Sequence, residues 1–272
     1  MNARKTIALV QNDLNRSLTS TRGILFLVFY GIFWFWMLKN LSDGGAVALS
    51  NPENNSALGV IFSWLGLSDN FLGLFLQHPP TLVAYFYLAL SSMPLFALWA
   101  SSDQTAGDLD TRFIRFLTPR VGRPEIYIGR FMGTTIFFCG CISLVTAVAV
   151  LISLSIDPSQ PAEVLAYGLK IECLLCLYAL PFIALMSFFT VATGSPGIAA
   201  LSGIGSYAVL VTSVPLLALN APNAEVVLYL VPSVFKTALI TLDGIATAMI
   251  GLLIQSLAYF LLGWVIFKKR DI

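Results

Sequence analysis

The chain has 272 residues, of which 57% are hydrophobic and 11% are charged, with a formal net charge of +1. Soluble domains carry about 25% charged residues, so this composition excludes a soluble enzyme with its own nucleotide-binding or catalytic domain. Apolar runs of about 20 residues recur, and at 1.5 Å per residue each can cross about 30 Å of hydrocarbon. The sequence therefore predicts an all-α integral membrane protein, with residues 1–272 forming a single transmembrane domain.

Residues 1–22 are predicted to form an amphipathic helix at the membrane interface. Ile7, Val10, Leu14 and Leu18 share one helical stripe, and charged side chains occupy the rest of the circumference. Such a pattern is typical of a helix lying in the headgroup region. A solvated cytoplasmic tail is the alternative.

Six transmembrane helices are expected after this segment, at residues 23–40, 80–100, 126–153, 165–190, 197–218 and 244–267. Lys and Arg are concentrated before the first span, between the second and third, and after the sixth, whereas the connections 41–79, 154–164 and 219–235 contain none. The excess of basic residues marks the cytoplasmic side. Both termini are therefore expected in the cytoplasm.

Two further apolar stretches are predicted to stay on the external side. Residues 57–76 are nearly long enough to cross, but a crossing there would move the arginine-rich loop outside. Residues 219–243 are interrupted by Pro232 and Lys236, and Asp243 lies near their end. Broken helical segments at membrane depth occur where they are buried in protein or line a cavity. The second stretch is therefore predicted to be an external re-entrant hairpin.

Residues 101–125 form the most informative segment, a cytoplasmic loop rich in arginine. The pattern predicts one helix over 107–117, ended by Pro119. Its apolar face carries Leu109, Phe113, Phe116 and Leu117. An exposed aromatic stripe suits a helix that docks into a groove of another protein. A helix resting on lipid headgroups is the alternative.

The residues of this loop resemble those that follow the second span in ABC-2 type transporter permeases. The resemblance is carried by Asp103, Arg115-Phe116-Leu117, Pro119-Arg120, Arg123 and Tyr127-Ile128-Gly129-Arg130-Phe131. The C-terminal run from Phe267 to Ile272 is also similar to the ending of that family. The family's Gly-Thr pair falls on Arg112-Phe113, which indicates a loop that is longer by a few residues.

This resemblance implies a permease subunit of an ATP-driven exporter in the bacterial inner membrane. Such a subunit is not itself an enzyme: it pairs with a second copy or a paralogue, and two separate ATPase subunits bind ATP and Mg. No Gly-x-x-x-x-Gly-Lys-Ser/Thr loop is present in this chain, and no cofactor is expected on it. The implied ATPase-docking residues are Asp103, Leu109, Arg112, Phe113, Arg115, Phe116, Leu117 and Arg120.

Polar and small residues inside the spans indicate further candidate sites. Glu172 lies in the fourth span, where a charge exposed to lipid is costly. Its side chain is therefore predicted either to turn into the bundle or to line a translocation cavity. Gly197, Gly203 and Ser206 make one face of the fifth span smooth. Small residues allow close helix approach, so this face is expected at the dimer interface and pathway, or in packing within the chain.

The four cysteines are predicted to bind no metal. Cys139 and Cys141 in the third span, and Cys173 and Cys176 in the fourth, lie at similar depths. Soft thiolates suit Cu(I), and permeases similar to this one serve in maturation of nitrous-oxide reductase. However, Cys139 and Cys141 point about 200° apart on a helix, and buried cysteine is commonly a small apolar residue.

Other functions remain open at the level of sequence. One is a membrane anchor of an ABC complex that handles copper or sulfur for metalloenzyme maturation. Another is a channel or secondary transporter, which would show inverted repeats and midplane carboxylates. An intramembrane metalloprotease would need a His-Glu-x-x-His sequence, which this chain lacks. Membrane lipids are expected partners and nucleic acids are not.

Overall fold

The computed structural model describes residues 3–45, 77–220, 228–241 and 244–270, and these parts contain helices and no strand. The helices are α1 (Ala3–Thr19), α2 (Thr21–Asn40), α3 (Pro80–Ala100), α4 (Ala106–Asp110), α5 (Ile114–Leu117), α6 (Arg123–Ile156), α7 (Pro161–Thr193), α8 (Pro196–Asn220), α9 (Lys236–Thr241) and α10 (Ile245–Lys269). Six of them, α2, α3, α6, α7, α8 and α10, are long and apolar enough to cross a membrane. The prediction of a multi-pass, all-α membrane protein is confirmed.

The six candidate spans agree with the predicted ones to within a few residues, and the largest differences occur in α6 and α7. These helices have 34 and 33 residues, so each is about 50 Å long and extends beyond a hydrocarbon layer of about 30 Å. α7 ends at Gly194, whose φ of 72° is the left-handed conformation that terminates many helices. Pro161 occupies the first turn of α7, where its missing N–H costs no hydrogen bond.

α7 lies at the centre of the bundle and packs against α3, α6, α8 and α10. An aromatic core joins α2 to its neighbours: Phe26, Tyr30 and Trp34 are buried one turn apart, and Tyr30 packs edge-on against Phe96 of α3 at 5.0 Å. Phe138 of α6 completes this group at 6.3 Å from Tyr30. α2, α8 and α10 expose most of their remaining apolar surface.

α1 lies along the first turns of α6 and packs there with a face that contains both polar and apolar side chains. Thr6, Leu9 and Asp13 are buried, whereas Ile7 and Leu18 of the predicted apolar stripe are more than half exposed. The helix predicted within residues 1–22 is confirmed over Ala3–Thr19. The side that packs on the protein is the one with the buried carboxylate.

Two glycines of α6 allow this close approach. A Cβ atom added at Gly129 would lie 2.9 Å from the Cβ of Leu9, and one at Gly133 would lie 2.8 Å from the Cβ of Asp13. Both distances are shorter than carbon atoms tolerate, so α1 can reach this position only because these residues have no side chain.

The segment predicted as an external re-entrant hairpin is described over residues 228–241, and residues 57–76 and Asp243 lie outside the described parts. The chain forms a short 3₁₀ turn, Pro232–Phe235, followed by α9, whose 6 residues are too few to cross a membrane. The hydroxyl of Tyr259 on α10 donates to the carbonyl of Leu230 at 2.6 Å. This contact holds the segment against the middle of α10.

The close packing of α1 on the glycines of α6 can be tested by replacing Gly133 with Ala. The added methyl group would collide with Asp13, so we expect a lower midpoint of thermal unfolding in detergent than for the wild type. Gly140→Ala is the matched control on the same helix, since a Cβ there has no atom within 4 Å. Alanine is favoured over glycine in a helix by up to about 1 kcal/mol, so this control should unfold at an unchanged or higher temperature. Equal midpoints for the two variants would contradict the close packing of α1.

Candidate functional site

The loop between α3 and α6 does not form the single helix predicted over 107–117. Arg112 has a φ of 56°, and this left-handed residue separates α4 from α5. On one continuous helix, Asp108 and Ile114 would point about 120° apart. The break lets both side chains face the bundle, where they are 1% and 2% exposed. The prediction of a continuous helix is wrong because these two residues could not both be buried on it.

The break also divides the predicted apolar face. Leu109 and Leu117 pack against a small apolar cluster contributed by α1, α6, α7 and α10, in which Ile114 is also buried. Phe113 and Phe116 remain 44% and 73% exposed. Only these two aromatic side chains of the predicted stripe are therefore exposed.

Exposed arginines flank these two rings. We call this surface the docking patch, and it consists of Arg112, Phe113, Arg115, Phe116 and Arg120. Within the described parts of the chain, none of its guanidinium groups forms a salt bridge. α1 supports the edge of the patch, because Lys5 Nζ donates to the backbone carbonyl of Arg120 at 2.7 Å.

A network of charged side chains lies behind the loop and joins it to α1, α2 and α6. We call it the charge network, and it comprises Asp13, Arg16, Arg22, Asp103, Asp108 and Arg130. It contains three carboxylates and three guanidinium groups, so its charges balance.

Arg130 of α6 is the centre of this network. Its Nη1 donates to Asp13 Oδ1 of α1 at 2.6 Å. Its Nη2 lies 2.6 Å from Asp108 Oδ2 of α4, as an ion pair whose alignment is not that of a hydrogen bond. Arg130 thus attracts both α1 and the loop to the same turn of α6.

Arg16 and Arg22 complete the network towards the surface. Arg16 donates to Asp108 Oδ1 at 2.6 Å and to Asp103 Oδ2 at 3.0 Å. Arg22, at the start of α2, donates to Asp103 Oδ1 at 3.1 Å. Their close packing requires Gly107, because a Cβ there would lie 2.5 Å from Asp103 Oδ1.

The inner part of the network is shielded from water. The side chains of Arg130, Asp108 and Asp13 are 1%, 2% and 6% exposed. Removing an ion from water costs several kcal/mol, which only opposite charges and hydrogen bonds at close range offset. Burial raises the pKa of Asp13 to about 6, although Arg130 acts in the opposite direction. At neutral pH this carboxyl group is therefore mostly ionised and can pair with Arg130.

Asp103 was predicted to belong to the ATPase-docking set. In the structure its carboxylate binds Arg16 and Arg22, and its side chain is 24% exposed. Its partners within the chain give it a role in supporting the loop. A direct role in docking stays a prediction.

The small residues of α8 have different environments. Gly203 faces α7, where a Cβ would lie 2.5 Å from the sulfur of Met186. Gly197 is exposed, with no atom within 4 Å of a Cβ built on it, and Ser206 is half-buried. Gly203 therefore serves packing within the chain. The dimer or pathway role of this helix stays a prediction.

Glu172 is half-buried between α6 and α7. Its Oε1 accepts a hydrogen bond from Ser143 Oγ at 2.5 Å. Lys170, two residues away, is exposed and points in another direction. The carboxyl group thus turns into the bundle, as one of the two predictions states, and its role in a pathway stays a prediction.

The cysteines meet across two helices. Cys139 on α6 and Cys176 on α7 are neighbours, whereas Cys173 is exposed and Cys141 is half-buried. In the described ranges, no three His, Cys, Asp or Glu side chains are grouped so that they could hold a metal ion. The proximity of Cys139 to Cys176 was not predicted, because it depends on the relative rotation of α6 and α7.

The pairs of Arg130 were also missed from the sequence. A usable signal existed: Arg130 lies about 10 Å inside α6, and a charge at such a position needs a partner. Which carboxylates would approach could not be read, since Asp13 is 117 positions away along the chain.

Comparison with known proteins identifies no family for this chain. No protein-family model matches its sequence, and no curated protein matches it. The resemblance to ABC-2 type permeases therefore rests on the two short motifs given above, and its consequences are treated below as proposals.

The charge network can be tested by comparing Arg130→Met with Arg22→Met. Loss of Arg130 would leave two buried carboxylates without their shared partner, so we expect the free energy of unfolding to fall by about 3–5 kcal/mol. Arg22 belongs to the same network but is 58% exposed, and its loss should cost about 1 kcal/mol or less. Unfolding in mixed micelles, with the yield of monodisperse protein, would measure both effects. Similar losses for both variants would contradict the central role of Arg130.

Proposed function

We propose that this chain is the permease subunit of an ATP-driven exporter of the ABC-2 type, working as a dimer with a separate ATPase bound to each copy. The observation that carries this proposal is the docking patch: two exposed phenylalanines and three exposed arginines on a loop that buried charges hold to α1 and α6. The six candidate spans support a membrane-embedded subunit of this kind.

The composition of the docking patch favours a protein partner over lipid. Aromatic residues and arginine are enriched where proteins bind each other and often dominate the binding energy. A loop that only rested on headgroups would need no fully buried ion pair behind it. A loop that transmits a movement does need one, since its force must reach the spans without the loop deforming first.

The charges also support an orientation with the docking patch in the cytoplasm. α1, the loop and the C-terminal end of α10 lie at the same end of the bundle, and Arg123 Nη1 donates to the carbonyl of Lys268 at 2.7 Å. The three basic segments of the chain therefore meet there. By the positive-inside rule this end faces the cytoplasm, and both termini with it.

In the proposed mechanism, binding of ATP and Mg to the two partner subunits closes them against each other. Each partner carries the docking patch with it. Because Arg130 ties the loop to α1 and to α6, the movement reaches both helices, and the central cavity between the two copies opens on the other side of the membrane. This chain supplies the pathway and the loop that transmits the movement, and the partner hydrolyses ATP.

The docking proposal predicts that Phe116→Ala removes the partner. A buried aromatic anchor at an interface commonly contributes about 2 kcal/mol or more, so the amount of a P-loop ATPase that co-purifies from native membranes should fall by more than about tenfold. Phe35→Ala is the matched control, because Phe35 is also 73% exposed but lies in α2. Mass spectrometry of gently solubilised complexes would quantify the partner. An undiminished ATPase in Phe116→Ala, or an equal loss in Phe35→Ala, would contradict this docking site.

The orientation has its own test. In a variant with all four cysteines replaced by alanine, Asp110→Cys and Ser159→Cys each introduce one exposed thiol at opposite ends of the bundle. We expect a membrane-impermeant maleimide to label Ser159→Cys in intact cells and Asp110→Cys only after permeabilisation. Labelling of Asp110→Cys in intact cells would place the docking patch outside and refute the proposed coupling to an ATPase.

A further inference from the structure

Lys236, the first residue of α9, has an unusual position for a charged side chain. Its Nζ donates to Ser91 Oγ of α3 at 2.8 Å and lies 4.4 Å from the centre of the Tyr87 ring. Ser91 is about 16 Å along α3 from Pro80, near the middle of a hydrocarbon layer of about 30 Å. The ammonium group therefore lies beside the middle of α3.

The surroundings of Lys236 do not neutralise it. In the residues that the structure describes, its contacts are a hydroxyl group and a ring face, and no carboxylate forms an ion pair with it. A charge at this depth costs about 2.5–3.5 kcal/mol or more, so its position needs a reason. The contrast with Arg130 is direct, since Arg130 has two carboxylates within 2.6 Å.

Ser91 is oriented as an acceptor for this lysine. Its hydroxyl donates to the backbone carbonyl of Tyr87 at 2.8 Å, so its lone pairs are left for the ammonium group. An ammonium group has three donors, and Ser91 takes one of them. The remaining donors can serve an anion that approaches from the open side.

The open side is apolar. Leu95 follows Ser91 by four residues on α3 and therefore lies on the same face, where it is 49% exposed. A charged group beside an exposed apolar side chain matches a molecule with an anionic head and a hydrocarbon tail better than a small hydrated anion.

We propose that Lys236 and Ser91 bind the anionic headgroup, a phosphate or carboxylate, of an amphiphile whose chain lies along Leu95. This inference rests on the proposed function, for which it names the substrate class as an anionic membrane amphiphile. Ser91 positions the ammonium group, Lys236 supplies the charge, and the apolar face of α3 accepts the tail.

The test measures lipid binding by the purified permease without any ATPase. The protein in maltoside detergent receives equal amounts of phosphatidylglycerol and phosphatidylcholine, and native mass spectrometry counts the lipids that each chain retains. We expect the wild type to prefer phosphatidylglycerol by about tenfold, the effect of one charge-assisted hydrogen bond. Lys236→Met should lose this preference, Lys236→Arg should keep most of it, and Ser91→Ala should reduce it severalfold.

Lys170→Met is the matched control, because Lys170 is an exposed lysine of another span. The proposal is overturned if Lys236→Met and Ser91→Ala keep the preference, or if Lys170→Met loses it equally. Displacement of phosphatidylglycerol by millimolar inorganic phosphate would overturn the amphiphile class and leave a general anion site. Co-purification of the ATPase, measured on the same variants, reports separately on the proposed function.

Discussion

The described structure depends on the requirement that the guanidinium group of Arg130 be neutralised where water cannot reach it. Asp13 and Asp108 meet this requirement from two segments that are distant in sequence. Because Arg130 contacts both carboxylates, α1 and the loop are held to the same turn of α6. The pairing is therefore a constraint on the relative position of three elements, and its net contribution to stability is secondary to that.

This constraint explains the shape of the loop. Asp108 must point to Arg130, and Ile114 must reach the apolar cluster, so the chain turns through the left-handed conformation at Arg112. The turn leaves Phe113 and Phe116 outside. A surface that the sequence pattern predicts on one regular helix is thus produced by a broken one, with fewer but more exposed aromatic groups.

The parts of the structure that could be predicted are those that depend on local composition. The six spans follow from runs of apolar residues whose length matches the thickness of the bilayer. The predicted bounds differ from those of the helices by a few residues. The loop was predicted less well, because a helical period assumes an uninterrupted helix and contains no information on Asp108 pairing with Arg130. The approach of α1 depends on Gly129 and Gly133, whose function appears only once Leu9 and Asp13 are placed against them.

The charged residues that the structure describes fall into those that are paired within the chain and those that are left without an ion pair. At the α1 end, every carboxylate and guanidinium group of the charge network has a partner, so these residues have little capacity left for a ligand. Arg112 and Arg115 lie outside the network and are exposed. Beside the middle of α3, Lys236 contacts only a hydroxyl group and a ring face among the described residues. Because an unpaired charge inside a membrane is costly, Lys236 is a position in the described chain where binding of an anion would lower the free energy.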